Sequence, residues 1–204
     1  MNARICLSAW ALGVLGCLAS SPAQAQLLPQ AALDSARTFR SMEVALQQPD
    51  SVYRLDLSGR KLKAVPEEVR LLKNLNALDL GRNKLKALPG WMNELQYVQE
   101  FSAGRNRFSE VPNAVCQWKH LKRLDMHRNH LEGLPACMGN LKALFSLDLW
   151  SNDLGDFPEA ISGMQALRFL DLRAIQFSPK EMEHIADLLP AVKIFFSQPC
   201  NCGE

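Results

Sequence analysis

"LKRLDMHRNHLEGLPACMGN", residues 121–140, decides how the chain is read. Its skeleton of Leu, Asp, Asn and Pro returns in "VYRLDLSGRKLKAVPEEV" (52–69), "LNALDLGRNKLKALPGWM" (75–92), "VQEFSAGRNRFSEVP" (98–112), "LFSLDLWSNDLGDFPEAI" (144–161) and "LRFLDLRAIQF" (167–177). Leu55, Leu78, Phe101, Leu124, Leu147 and Leu170 recur at a constant step of 23 residues. A fixed period of this size means stacked coils, each one supersecondary unit that cannot bury its apolar face alone. Once the skeleton is set aside, Lys122, Arg123, His127, Arg128, His130, Glu132 and Cys137 remain. They are either a chemical site or the variable skin of the coils.

Each kept position has a physical reason. Leu124 and Met126 alternate with Arg123, Asp125 and His127, which predicts a short strand with one buried face. Leu131 and Leu134 turn the chain inward, and Met138 and Leu141 carry the apolar face of the return segment. Asn83, Asn106, Asn129 and Asn152 form one column, where a buried amide satisfies backbone groups at the turn. Arg60 and Ile175 replace Asn at the two ends, as capping units do.

The pattern L-x-x-L-x-L-x-x-N-x-L-x-x-L-P, with Pro after the last Leu, resembles the leucine-rich repeat family. The resemblance implies an α/β fold: a right-handed solenoid with parallel concave strands and short helical or irregular convex segments. About six units and a final strand, "VKIFF", fill residues 52–196. Residues 26–51 are expected to cap the stack, with a helix opened by Ser41 and stopped by Pro49, and Met42, Ala45 and Leu46 turned inward. "SPKEMEHIADLLP" predicts a second helix, with Ser178 and Glu181 as a capping box and Pro179 in the first turn. Its expected inner stripe is Met182, Ile185, Ala186 and Leu189.

Residues 1–25 read as an export signal: Arg4, the apolar run "ICLSAWALGVLGCLA", and an A-x-A-like cut after Ala25. The run is too short for a stable membrane span, and the mature chain carries no other candidate. "VLGC" leaves a second reading, a lipid anchor on Cys17. After export four cysteines remain, Cys116, Cys137, Cys200 and Cys202, an even number in an oxidising compartment. Cys116 and Cys137 lie in adjacent return segments but two positions out of register, so pairing and free thiols both stay open. "PCNCGE", within the tail 197–204, resembles the opening of the Cys-containing caps of extracellular members.

A formal net charge of +2 over 204 residues gives no electrostatic reason to expect nucleic acid. The period also writes out the concave face. Asp56, Asp79, Ser102, Asp125, Asp148 and Asp171 form a row whose carboxylates diverge too far to gather the six to eight oxygens Ca²⁺ takes. The Arg82, Arg105 and Arg128 column beside it is expected to balance the charge. His120, His130 and His184 lack metal-ligand spacing, so no metal and no cofactor are expected.

The expected ligand face is Arg123, His127, Arg128, Trp150, Phe169 and Arg173, since exposed Trp and Arg dominate binding hot spots. The bland reading has Trp150 stacking on His127 and Arg173 only to shield itself. Gly81, Gly104 and Ala77 make the N-terminal half of the face look bare. Trp118 reads as core and Trp91 as convex packing. Asp125, His127 and Ser102 assemble on paper into a hydrolytic set, but an open sheet face supplies no oxyanion hole, and no enzyme is expected. The sequence thus points to a monomeric, exported or periplasmic module that binds a protein or peptide. The alternatives are an envelope-anchored structural role and carbohydrate binding.

Overall fold

The computed structural model describes residues 26–155 and 157–197. Eight parallel strands form one sheet in strict chain order: β1 Thr38–Phe39, β2 Arg54–Asp56, β3 Ala77–Asp79, β4 Glu100–Ser102, β5 Arg123–Asp125, β6 Ser146–Asp148, β7 Phe169–Leu172 and β8 Lys193–Phe196. The register follows the sequence period, with Leu55 beside Leu78, then Phe101, Leu124, Leu147 and Leu170. All six are at most 2% exposed, so one apolar column runs the length of the stack.

Return segments between β2 and β7 are short 3-10 turns such as Glu67–Leu71 and Ala136–Asn140. Pro66, Pro89, Pro135 and Pro158 stand immediately before four of them. The fixed φ of proline starts the turn without losing an inner hydrogen bond. Trp118 is fully buried, edge-on to Phe101 at 4.9 Å, and its indole N–H donates to the Met92 carbonyl at 3.0 Å. Trp91 is half-buried against the core from the convex side.

The corner after each strand repeats as faithfully as the strand. Gly59, Arg82, Arg105, Arg128, Ser151 and Ala174 all adopt positive φ, between 51° and 68°. The left-handed conformation costs a non-glycine residue about 1–2 kcal/mol. It persists because the N–H at the first five positions joins the ladder between coils, as Arg105 does to the His127 carbonyl at 2.7 Å, while that of Ala174 donates to Ser197 Oγ at 2.6 Å. The Asn column locks the same corner. Asn129 accepts from the Phe108 N–H at 3.1 Å and donates to the Ala103 and Met126 carbonyls at 3.1 and 2.9 Å. Among the described residues, no buried side-chain polar atom lacks a partner.

Both ends differ from expectation in part. Ser41 caps helix α2 (Met42–Leu46), with Ala45 buried and Met42 and Leu46 half-buried, but the helix ends before Pro49, which opens a separate 3-10 turn. Ahead of it lie a further helix, α1 (Gln30–Ser35), and strand β1, which has no 23-residue partner to reveal it. At the other end, helix α3 (Pro179–Leu188) carries the Ser178–Glu181 capping box. Its inner stripe is Met182, Ile185, Leu188 and Leu189. Ala186 is exposed, because the helix is rotated to seat the two leucines near its C-terminal end. Among the described residues no helix is long and apolar enough to cross a membrane. The export signal, Cys17, Cys200 and Cys202 lie outside the described residues.

Cys116 and Cys137 are joined by a disulfide, with Cα atoms 5.7 Å apart. The strand register is 23, but the return segments run obliquely, so some close neighbours there are 21 apart. Lys142 meets the Gly163 carbonyl at the same offset, and a Cβ on Gly139 would strike Ala160. That slant brings two cysteines together that strand arithmetic leaves two positions apart.

Candidate functional site

The concave face holds a depression of about 500 Å³, lined by Arg54, Asp79, Glu100, Arg123, Asp125 and Asp148 among others. The Asp row is first of all a structural device. Asp56, Asp79, Asp125, Asp148 and Asp171 each accept the N–H two residues ahead, at 2.7 to 3.1 Å, closing the end of their own strands. This is the Asx turn, a local bond that the short Asp side chain makes readily.

The neighbouring arginine column does not balance this row. Held in the left-handed corner, Arg82, Arg105 and Arg128 make no ion pair among the described residues. The ends of the row are balanced by other arginines, Arg40 on Asp56 at 3.2 Å and Arg173 on Asp171 at 2.6 Å. Among the described residues, Asp79, Asp125 and Asp148 in the middle pair with no Lys or Arg. Burial pushes the Asp79 and Asp148 carboxyls above the usual value, helped by the charges of Asp56 and Asp125 in one case and of Asp125 and Asp171 in the other. Burial also lifts Asp171, but the hydrogen bonds and charge of Arg173 outweigh it and hold that carboxyl low.

The six expected ligand residues form two groups at opposite ends of the strands. At the strand exits, the half-buried Trp150 stacks on His127, with ring centroids 5.7 Å apart and planes 28° apart. Arg128 covers the indole, its guanidinium 4.4 Å from the ring centre. Arg173, expected beside Trp150, is drawn away by Asp171 and lies 5.9 Å from the Phe195 ring instead. At the strand entries sit Arg123, paired with Glu100 at 3.2 Å, and Phe169, edge-on to Phe145 at 5.4 Å. Phe145 and Trp150 are five steps apart along the chain, roughly 16 Å when extended, so one compact patch does not form.

Ser102, Asp125 and His127 do connect, but in an order unsuited to hydrolysis. Ser102 Oγ donates to Asp125 Oδ2 at 2.9 Å, and Asp125 Oδ1 faces His127 Nδ1 at 2.6 Å. The carboxylate lies between hydroxyl and imidazole, where a nucleophilic serine needs the imidazole beside it. Asp125, His127 and Asp148 each offer an atom within 4.8 Å of the others, a juxtaposition that the wide spacing of the histidines in sequence concealed.

The N-terminal half of the face is not bare. A side chain on Gly104 would collide with the His127 ring, so that glycine is the floor under an imidazole. Residues 26–35 cover the strand-entry edge. The Gln26 N–H donates to Asn74 Oδ1 at 2.6 Å, and Asn76 Nδ2 donates to the Gln26 carbonyl at 3.0 Å. The Leu28 N–H donates to Asn76 Oδ1 at 2.9 Å, and Gln99 Nε2 to the Leu28 carbonyl at 2.7 Å. Arg54 holds the Leu33 carbonyl at 3.2 Å. Leu33 and Ala77 are, among the described residues, the two buried apolar side chains outside the main core. Asn76 and Gln99 stand 23 apart and Asn74 two residues earlier, but nothing in their own coils marks them as contacts for residues 26–28.

The Leucine rich repeat family model matches residues 97–154 and, overlapping, 119–174. A leucine-rich-repeat protein of Leptospira interrogans superposes with a TM-score of 0.61 at 30% identity, over 78% of this chain and 48% of that one. The chain carries leucine-rich repeats. An internalin of Listeria monocytogenes matches this leucine-rich repeat protein at 25% identity and a TM-score of 0.55, covering 73% of this chain and 40% of the internalin. Internalin C2 from the same organism shares the fold at 20% identity and a TM-score of 0.62, over 72% and 62% of the two chains. The chain thus spans less than two thirds of each of these three proteins. No curated protein matches it.

Proposed function

We propose that this leucine-rich repeat protein is a non-catalytic, exported, monomeric module that binds a protein or peptide through its concave face, with Trp150 at the centre of the contact. Leucine-rich repeats commonly serve protein interaction, which sets the class. The observation that carries the reading is the platform at the strand exits. Trp150 stacks on His127 at 5.7 Å, and the Arg128 guanidinium lies 4.4 Å from its ring centre. The indole is fixed before any partner arrives, and Arg128 keeps a charge that no carboxylate among the described residues neutralises. A pre-set aromatic with a cation over it loses little side-chain freedom on binding. The order hydroxyl, carboxylate, imidazole at Ser102, Asp125 and His127 supports the non-catalytic part.

Export rests on residues 1–25, and the Cys116–Cys137 disulfide fits an oxidising compartment. Affinity capture from the extracytoplasmic fraction of the native host tests the binding reading. Wild-type protein should retain a partner that Trp150→Ala loses, with both proteins melting alike; equal capture by the two would overturn it. Intact mass of the protein from its host tests export: a chain starting at Gln26 supports the soluble form, and an acylated Cys17 would mean an envelope-anchored one.

A further inference from the structure

The strand-entry edge of the concave face holds a surface that the Trp150 platform does not use. One column runs along it: Asn76, Gln99, Lys122, Phe145 and Arg168, each 23 residues after the last. Its first part is occupied by the chain itself. Backbone groups of Gln26 and Leu28 both face Asn76, the two-residue alternation of an extended peptide. Asn74, Asn76 and Gln99 are at most 1% exposed, so the amides reading that backbone form a built site. The Gln30 side chain then reaches Glu100 at 2.8 Å and Lys122 at 3.5 Å, and α1 turns the chain back toward β1.

Where residues 26–30 leave the edge, the apolar surface begins. Phe145 and Phe169 are 44% and 41% exposed, on adjacent coils. Four cations surround them in the same two columns: Lys122, Arg123, Arg168 and Lys193. Among the described residues only Arg123 meets a carboxylate. Lys122 reaches amide oxygens, Arg168 the Gln165 and Leu167 carbonyls, and Lys193 the Phe195 ring at 5.0 Å. The edge backbone is consumed between coils, Phe145 N–H to the Lys122 carbonyl and Arg168 N–H to that of Phe145, so only side chains face outward. This is how Asn76 and Gln99 already receive a peptide.

We propose that this edge docks an extended segment of a partner protein, laid in line with residues 26–30. One aliphatic or aromatic residue sits on Phe145 and Phe169, and Asp or Glu residues flank it. Continuity with the segment already seated sets the direction, and the four cations set the charge. A basic segment would be repelled, and a purely apolar one would leave Lys122, Arg168 and Lys193 unanswered.

Selection of random linear peptides on the full-length protein tests this. Enriched sequences should pair an apolar residue with nearby Asp or Glu. A synthetic peptide of the enriched type should lose about tenfold or more in affinity on Phe145→Ser with Phe169→Ser, and again on Arg168→Glu with Lys193→Glu. It should bind Trp150→Ala unchanged and weaken with added salt. Melting curves establish that the exposed substitutions leave the fold intact. No enrichment, basic enriched sequences, or indifference to both pairs of changes would overturn the proposal. Sensitivity to Trp150→Ala alone would overturn it while leaving the strand-exit platform standing. A concentration-dependent dimer abolished by the Phe145 and Phe169 changes would make a second copy the occupant and overturn the peptide.

Discussion

Gly104 lies directly beneath the His127 imidazole, one coil away, and a methyl group there would collide with the ring. The missing side chain in one coil makes room for the large one in the next. His127 in turn supports Trp150. The first prediction follows from that chain of contacts. Gly104→Ala should cost little stability, about 1 kcal/mol or less, because the imidazole can swing toward solvent. It should loosen the Trp150 stack, read as a changed indole signal for Trp150 in two-dimensional NMR while the buried Trp118 signal stays. An unmoved Trp150 signal would show that the stack does not depend on this glycine.

Asn129 carries a second prediction. Its amide satisfies the Phe108 N–H and two carbonyls in a corner only 5% exposed. Asn129→Ala leaves the Phe108 N–H without a partner, while the Ala103 and Met126 carbonyls keep the bonds they accept from Asn106 and Asn152, and a buried orphan costs about 1–3 kcal/mol. A loss of about 2 kcal/mol overall should lower the melting temperature by about 4–8 °C. His130→Ala, next in sequence but exposed, should change it by less than a degree or two; equal effects would remove the special role of the column.

These two residues also mark how far the sequence could be read. Asn129 declares itself, because its role repeats in every inner coil and the period exposes it. Strand register, the apolar column and the α3 cap were legible for the same reason. Gly104 was misread as bareness, because what fills its space comes from the next coil. The Cys116–Cys137 bond depends on the slant of the return segments, which a strand-based register does not contain. Strand β1 and the path of residues 26–35 lie outside the period altogether. The six residues expected to form one ligand face stand in two groups instead, since Asp171 diverts Arg173 and the strand length parts Phe169 from Trp150.

The disulfide itself should be worth about 3 kcal/mol, from the chain entropy lost by closing a loop of this size in the unfolded state. Its sequence separation is 21 residues. Reductant should therefore lower the melting temperature by about 6–12 °C. The Cys116→Ala, Cys137→Ala protein should start at the lower value and ignore reductant. A response to reductant that survives the double substitution would move the effect to other cysteines.

The Asp row predicts an unusual pH dependence. Asp79 and Asp148 have folded-state pKa values raised above the ordinary 3.8, first by burial and then by neighbouring carboxylates. A raised carboxyl binds its proton more tightly when folded, so stability should increase as pH falls from neutral through that raised pKa toward 3.8. Asp56 and Asp171 work in the opposite sense. Burial lifts them, but hydrogen bonds from Ser58 and Arg40, or from Arg173, hold them below 3.8, and their contribution is lost as pH falls below that value. Stability should thus peak at mildly acid pH, above 3.8, and collapse beneath it. Asp79→Asn isolates the first effect, because an amide oxygen can still accept the Gly81 N–H that Asp79 binds at 2.7 Å. The substituted protein should be more stable at neutral pH, and its rise on acidification should flatten. Thermal melts of the two proteins between neutral pH and pH of about 4 measure both. A substitution that destabilises at neutral pH would show that the Asp79 charge is balanced by something other than its burial and neighbours suggest.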